Sequence, residues 1–158
     1  MKQSYVNLLY KSALFVAYRI LLVCWFLFRP RRRGVFIAVW HNGRVLTIRN
    51  SYRHWIALPA GGLRKSEEPI KGAQRELREE VGIDLPENAF RAAGVFPTTF
   101  EFKRDSCFFF EVTLAVAPEI RVDQREVISA DFMDPDEALR SVLAPPVRDY
   151  LDARNRSS

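Results

Sequence analysis

Apolar residues dominate the chain from Tyr5 to Phe28, with an unbroken apolar run over Ile20–Phe28 and Arg19 as the one charge between Ser12 and Phe28. On a wheel turned about 100° per residue, Ser4, Asn7, Lys11, Ser12, Tyr18 and Arg19 fall in one sector, so the segment predicts a strongly hydrophobic helix with one polar stripe. Pro30 and the cluster Arg31, Arg32, Arg33 close it. From Gly34 the pattern changes to short β-type runs. GVFIAVW and RVLTIR flank HNG, and Asn42-Gly43 is a strong hairpin signal because both residues tolerate the positive φ of a tight turn. After WIALPAGG, the segment SEEPIKGAQRELREEVG repeats Ile70, Ala73, Leu77 and Val81 at helical spacing, which predicts an amphipathic helix stopped by Gly82. FRAAGVFPTTFEF, CFFFEVTLAVA and ISADFMD read as strands, the second apolar for long enough to be buried on both faces. PDEALRSVL and PPVRDYLDAR predict two short closing helices, the second opened by Pro145-Pro146. Strands on both sides of a central helix indicate a mixed α/β (α+β) domain over residues 34–158, preceded by a hydrophobic and basic helix over residues 1–33.

Composition narrows the class. A chain of 158 residues, 48% hydrophobic and 27% charged, fits one folded domain able to bury a core without staples. The two cysteines, Cys24 and Cys107, have no metal-type spacing and read as buried free thiols in a reducing compartment. The net charge of +5 is not a nucleic-acid signal, because Lys2, Lys11, Arg19, Arg29, Arg31, Arg32 and Arg33 carry it and everything from Gly34 onward is slightly acidic. No specific nucleic-acid partner is therefore expected.

The N-terminal segment admits three placements. As a span, residues 5–28 would cover roughly 36 Å at about 1.5 Å per residue, enough for a hydrocarbon core of about 30 Å, against a cost of about 2.5–3.5 kcal/mol for Arg19 at its middle. As an in-plane helix, its polar stripe would face lipid headgroups and the arginines would attract an anionic surface. As a soluble helix, it would pack on the domain or on a second subunit. The basic cluster follows the apolar run, which suits a signal peptide less well and puts the domain on the cytoplasmic side of a membrane, or simply in the cytoplasm.

The chemistry concentrates in RELREEVGI. Glu76, Glu79 and Glu80 stand at i, i+3 and i+4, so three carboxylates project from one helical face, repelling one another at the end where the helix dipole disfavours anions. A solvated acidic face and a divalent-cation site both fit that cluster alone; hard Mg²⁺ or Mn²⁺ prefers oxygen ligands and would cancel the repulsion. PAGG is too short for a phosphate-cradling loop and lacks the Lys-Ser/Thr such a loop carries.

The wider spacing separates the two readings. The pattern G-x5-E-x7-R-E-U-x-E-E-x-G-U, with U aliphatic, is matched at every fixed position by Gly61, Glu67, Arg75, Glu76, Leu77, Glu79, Glu80, Gly82 and Ile83. In this the sequence resembles the Nudix hydrolase family, loosely from about Gly34 to Leu151 and without the N-terminal helix. The resemblance implies a Nudix fold, a mixed β-sheet sandwiched between helices. It implies Mg²⁺, with Mn²⁺ as the alternative, held by Glu76, Glu79, Glu80 and the backbone carbonyl of Ala60, where the family often has glycine. Gly61, Glu67, Arg75 and Gly82 would be structural, and Ser66 stands where many members have glycine.

The implied reaction is hydrolysis of the pyrophosphate linkage of a nucleoside diphosphate linked to another moiety. Glu76, Glu79 and Glu80 would carry it, with Glu126 resembling the loop glutamate some members use as base and Glu101 as a weaker candidate. Arg49, Arg53, Lys103 and Arg104 are candidates to hold phosphates. Trp40, Tyr52, Trp55, Phe96 and Phe100 are aromatic candidates to stack a base, although strand aromatics are more often core. Pro97 lies near where ADP-ribose-cleaving members often carry a proline. The rival expectation is a catalytically silent Nudix-like nucleotide-binding or regulatory module anchored at the membrane.

Overall fold

The computed structural model describes residues 2–156; the side chains of residues 2–5, Ser4 of the polar stripe among them, lie outside the described residues. A long helix, α1 (Lys2–Phe28), precedes the strands β1 (Arg31–His41), β2 (Arg44–Asn50), β3 (Ile56–Ala57) and β4 (Ala60–Gly62). Helix α2 (Pro69–Val81) leads to β5 (Arg91–Thr98), β6 (Arg104–Thr113) and β7 (Val127–Met133), and α3 (Pro135–Arg140) and α4 (Pro145–Asn155) close the chain. Among the described residues the strands form one mixed sheet in the order β3-β2-β1-β6-β5, with β4 on β1 and β7 on β2. Strand β1 runs parallel to β6 and antiparallel to β2 and β4.

The core follows from the alternation in β1. Phe36 stacks on Phe109, Phe109 stacks on Tyr150 of α4, and the Trp40 indole donates to the Tyr150 hydroxyl at 3.2 Å. Val35, Ile37 and Val39 point to the opposite face and are fully buried, as are Ala73, Leu77 and Val81 of α2, which lies over β1 and β4. The sheet is thus sandwiched between helices, as expected. The turn at Asn42 (φ 47°) and Gly43 (φ 74°) closes the β1–β2 hairpin, and Gly82 (φ 73°) ends α2 in the left-handed conformation with its N–H on the Arg78 carbonyl.

Four expectations need correction. Arg31, Arg32 and Arg33 do not close the helix but open β1, because β6 reaches back to Arg104 and supplies them with partners. The strand expected through Phe102 stops at Thr98. Phe100–Phe102 is a 3-10 turn in which Glu101 (φ 55°) and Phe102 (φ 63°) are left-handed. Strand β6 is buried on both faces as expected but ends at Thr113, where its β1 partner ends, so Leu114–Ala117 leave the sheet. Cys107 is buried, but Cys24 is only half-buried.

The largest difference concerns the orientation of α1. Its shielded positions are Asn7, Lys11, Leu14, Tyr18, Leu22, Cys24 and Trp25, all but Cys24 at the 3–4 spacing of one face, so much of the polar stripe turns toward the domain. Leu9, Val16, Ile20, Val23, Leu27 and Phe28 are exposed instead, Phe28 to 78%. Leu8, Phe15 and Leu22 interrupt the polar sector, which leaves the helix apolar on nearly every side.

Candidate active site

The strand β4 and the helix α2 bring the glutamates to the sheet. Antiparallel pairing of Ala60 with Phe36 and of Gly61 with Val35 fixes the loop that precedes the helix. The Ala60 amide then donates to Glu80 Oε2 at 2.8 Å, so the contact seen here between that residue and the cluster is through its N–H. A Cβ at Gly61 would overlap the Glu76 carboxylate, which is the physical reason a glycine stands there.

Arg75 organises the rest. Its Nε and Nη2 donate to the two oxygens of Glu67 at 2.9 and 3.0 Å, a bidentate pair, while Nη1 donates to Glu76 Oε1 at 2.6 Å and Glu79 Oε2 at 3.3 Å. Nη2 also reaches the Gly62 carbonyl at 3.1 Å, and Glu67 accepts from the Arg64 amide at 2.7 Å. One guanidinium thereby ties the loop to the helix. Bonding to Arg75 holds the Glu67 carboxyl down at about 2.

The three candidate ligands differ in environment. Glu79 is half-exposed. Burial pushes the carboxyl of Glu76 upward, with Glu79 and Glu126 adding to the shift against Arg75. Burial likewise raises Glu80 well above the carboxylate range, with Glu76 and Glu126 adding and the Ala60 amide opposing. Among the described residues no three His, Cys, Asp or Glu side chains converge as a ready cation site, and Arg75 and the Ala60 amide hold oxygens of Glu76 and Glu80. The donor set nevertheless fits a hard cation: all ligands are oxygens, two are disfavoured as bare anions, and the Gly61 cradle keeps Glu76 close to the strand.

A cavity of about 620 Å³ opens beside these glutamates, within the range of small-molecule sites. Glu126 lines it and accepts from the Tyr52 hydroxyl at 2.8 Å. Burial, together with Glu126, raises the Tyr52 hydroxyl above its ordinary range, which keeps it a donor. Glu101 also lines the cavity, but its oxygens meet Tyr18, Arg53 and Lys103 at 2.7, 3.2 and 3.0 Å, and it acts as an anchor for those cations. Arg53 lies against the rings of Tyr18, Tyr52 and Trp55, and its Nε is buried without a hydrogen-bond partner. Trp55 and Phe100 meet edge to face at 5.0 Å on the cavity wall.

The remaining candidates separate. Of Arg49, Arg53, Phe96 and Arg104, Arg53 lines this cavity. Arg49 is an exposed residue of β2, Phe96 packs on Phe109 and Tyr150 in the core, and Arg104 borders a second cleft with Pro97 and Arg31. Trp40 is core. Sequence reasoning missed the contribution of α1, whose Tyr18 holds Glu101 and whose Leu21 and Trp25 line the cavity. The one available signal was a tyrosine among the polar positions of an otherwise apolar helix.

Residues 30–153 match the NUDIX domain. The chain belongs to that family. A curated relative, the RNA pyrophosphohydrolase of Bartonella henselae (strain ATCC 49882 / DSM 28221 / CCUG 30454 / Houston 1), is 42% identical over 65 residues, covering 34% of this chain; the chain spans 37% of that protein. Among solved structures, the MutT protein from Methanosarcina mazei Go1 superposes with a TM-score of 0.72 at 21% identity, over 82% of this chain and 96% of that one. A MutT NUDIX hydrolase from Burkholderia pseudomallei gives 0.67 at 22% identity, over 77% and 96%. The NUDIX domain of Shewanella oneidensis NrtR, complexed with ADP ribose, gives 0.70 at 14% identity, over 84% and 92%. The fold is the Nudix fold, and α1 stands before the matched region.

Proposed function

We propose that this NUDIX domain is a metal-dependent pyrophosphohydrolase that cleaves the diphosphate of a nucleoside diphosphate linked to another moiety. The observation that carries the reading is that Glu76, Glu79, Glu80 and Glu126 line one cavity, with Glu76 and Glu80 partly shielded beside the β4 loop. The pyrophosphohydrolase relative and the nucleotide-derived ligand of the NrtR domain agree with it.

Glu76, Glu79 and Glu80 would hold the cation, which when bound supplies positive charge for the nonbridging phosphate oxygens. Acidic side chains outnumber basic ones on the cavity wall, so the apoprotein would repel a diphosphate. Arg53 lines the cavity and is the cation set to meet a phosphate oxygen. Glu126, held by Tyr52, is the acceptor placed to take a proton from water. The test is a panel of nucleoside diphosphate derivatives, scored for phosphate after phosphatase coupling, with Mg²⁺ or Mn²⁺ and with chelator. Turnover abolished by chelator and restored by metal is expected; chelator-resistant turnover, or none on any member, contradicts the reading.

We propose further that the domain sits on the cytoplasmic face of a membrane with α1 in the interfacial plane. The segment Val6–Phe28 is long and apolar enough to cross a bilayer by length and composition. It touches the domain from Asn7, which meets Arg125 at 3.3 Å, to Phe26, which meets Phe102. These contacts extend over roughly 28 Å of helix at about 1.5 Å per residue, and a crossing helix would carry its polar ones into hydrocarbon. The exposed apolar side of α1, flanked by Arg29 and Arg31, suits an anionic bilayer surface.

A further inference from the structure

We propose that the substrate of this site is a diphosphate carrying a lipid alcohol on one phosphate, whose apolar chain leaves the cavity over Leu21 and Trp25 of α1. The proposal rests on the hydrolase reading above and names the second moiety of its substrate.

The cavity has two kinds of wall. One is the glutamate cluster with Arg53 and Lys103; the other, on α1, is Leu21 and Trp25. Leu21 lines the cavity and keeps 44% of its surface open to solvent. Cys24 and Phe28 follow it at the 3–4 spacing that keeps side chains on one face, so an apolar strip runs from the cavity to the end of α1. Trp25 is fixed on the cavity wall by Lys103, whose Nζ lies 4.2 Å from its ring centre, and Lys103 is held in turn by Glu101 and Asp105 at 3.0 and 3.1 Å. A cation for phosphate and an apolar exit are thus set side by side.

A water-soluble second moiety, such as a sugar, would gain nothing from the strip. An alkyl chain gains burial against it, and its far end meets the exposed Ile20, Val23 and Leu27, the same side that suits a bilayer. The chemistry is that of any diphosphate diester. Water adds to one phosphorus and the bridging P–O bond breaks. The dianionic diester and one water give two phosphate monoesters, each leaving as a monoanion with one of the two water protons.

The test is the full-length protein with Mg²⁺ and a series of alkyl esters of adenosine diphosphate, methyl to octyl, in solution, beside a glucose ester of the same nucleotide. KM is expected to fall along the series by up to roughly fourfold per methylene, and Leu21→Asn is expected to flatten that fall. Leu21→Ala removes the contact without adding a polar group and should flatten it too, which covers poor folding of the asparagine variant. A series flat in the wild type, or equally steep in both variants, overturns the proposal. So does hydrolysis of the glucose ester with none of the alkyl esters, an outcome that leaves the hydrolase reading intact. Hydrolysis of neither class removes the proposal together with the reading beneath it.

Discussion

The hydroxyl of Tyr18 in α1 donates to Glu101 Oε1 at 2.7 Å, joining a helix outside the NUDIX match to a buried carboxylate on the cavity wall. Glu101 also pairs with Arg53 and Lys103, so the bond fixes two cations of the site through one anion. Tyr18→Phe should cost about 1.5–3 kcal/mol, the range for hydrogen bonds to charged groups, because the oxygen it leaves is buried. Equilibrium urea unfolding measures this. A change below about 0.5 kcal/mol would mean that α1 is not latched to the domain.

Metal should stabilise the fold through Glu80. In chelator, Glu80→Gln is expected to be as stable as the wild type or more so, since the variant no longer buries a disfavoured anion. At a hundredfold excess of Mg²⁺ over Kd the wild type should gain about 2.7 kcal/mol and the variant much less. Thermal melts with and without Mg²⁺ read the difference, and equal gains would place the cation elsewhere.

Gly61→Ala should separate folding from chemistry. The added Cβ overlaps the Glu76 carboxylate, which must swing away from the loop, so the metal-dependent melting shift and turnover should fall together while the circular dichroism spectrum is kept. Wild-type values for both would refute the close approach.

The Glu67–Arg75 pair gives an acid-side signature. Its carboxyl sits at about 2 in the fold against an ordinary 4.5, so its stabilisation is complete above about pH 4.5 and is lost as pH falls toward 2. In urea titrations from pH 5 to 3 the wild type should lose more stability than Glu67→Gln. Parallel curves would mean that the loop does not depend on the ionised pair.

Much of this was legible in the chain because it is local. The spacing of Ile70, Ala73, Leu77 and Val81 gave α2 its buried side, Asn42-Gly43 gave the hairpin, and the glutamate spacing gave the cluster. What escaped depends on distant pairing. Arg31–Arg33 looked like the close of the helical segment because nothing in their own composition reveals that β6 extends to meet them. Phe100–Phe102 looked like strand because Glu101 is drawn out of the sheet by Tyr18, Arg53 and Lys103, none of them a sequence neighbour except Lys103. The direction of the polar stripe on α1 was open for the same reason: a wheel shows which residues share a side, and only the domain decides which side is covered.

The central claim, that Glu76, Glu79 and Glu80 form a metal-holding hydrolytic centre, is tested most directly by kcat/KM for the best nucleoside diphosphate derivative in wild type, Glu79→Gln and Glu80→Gln at saturating Mg²⁺. The account predicts a loss of roughly 10²-fold or more in at least one variant with folding retained. Equal turnover in all three proteins would contradict it.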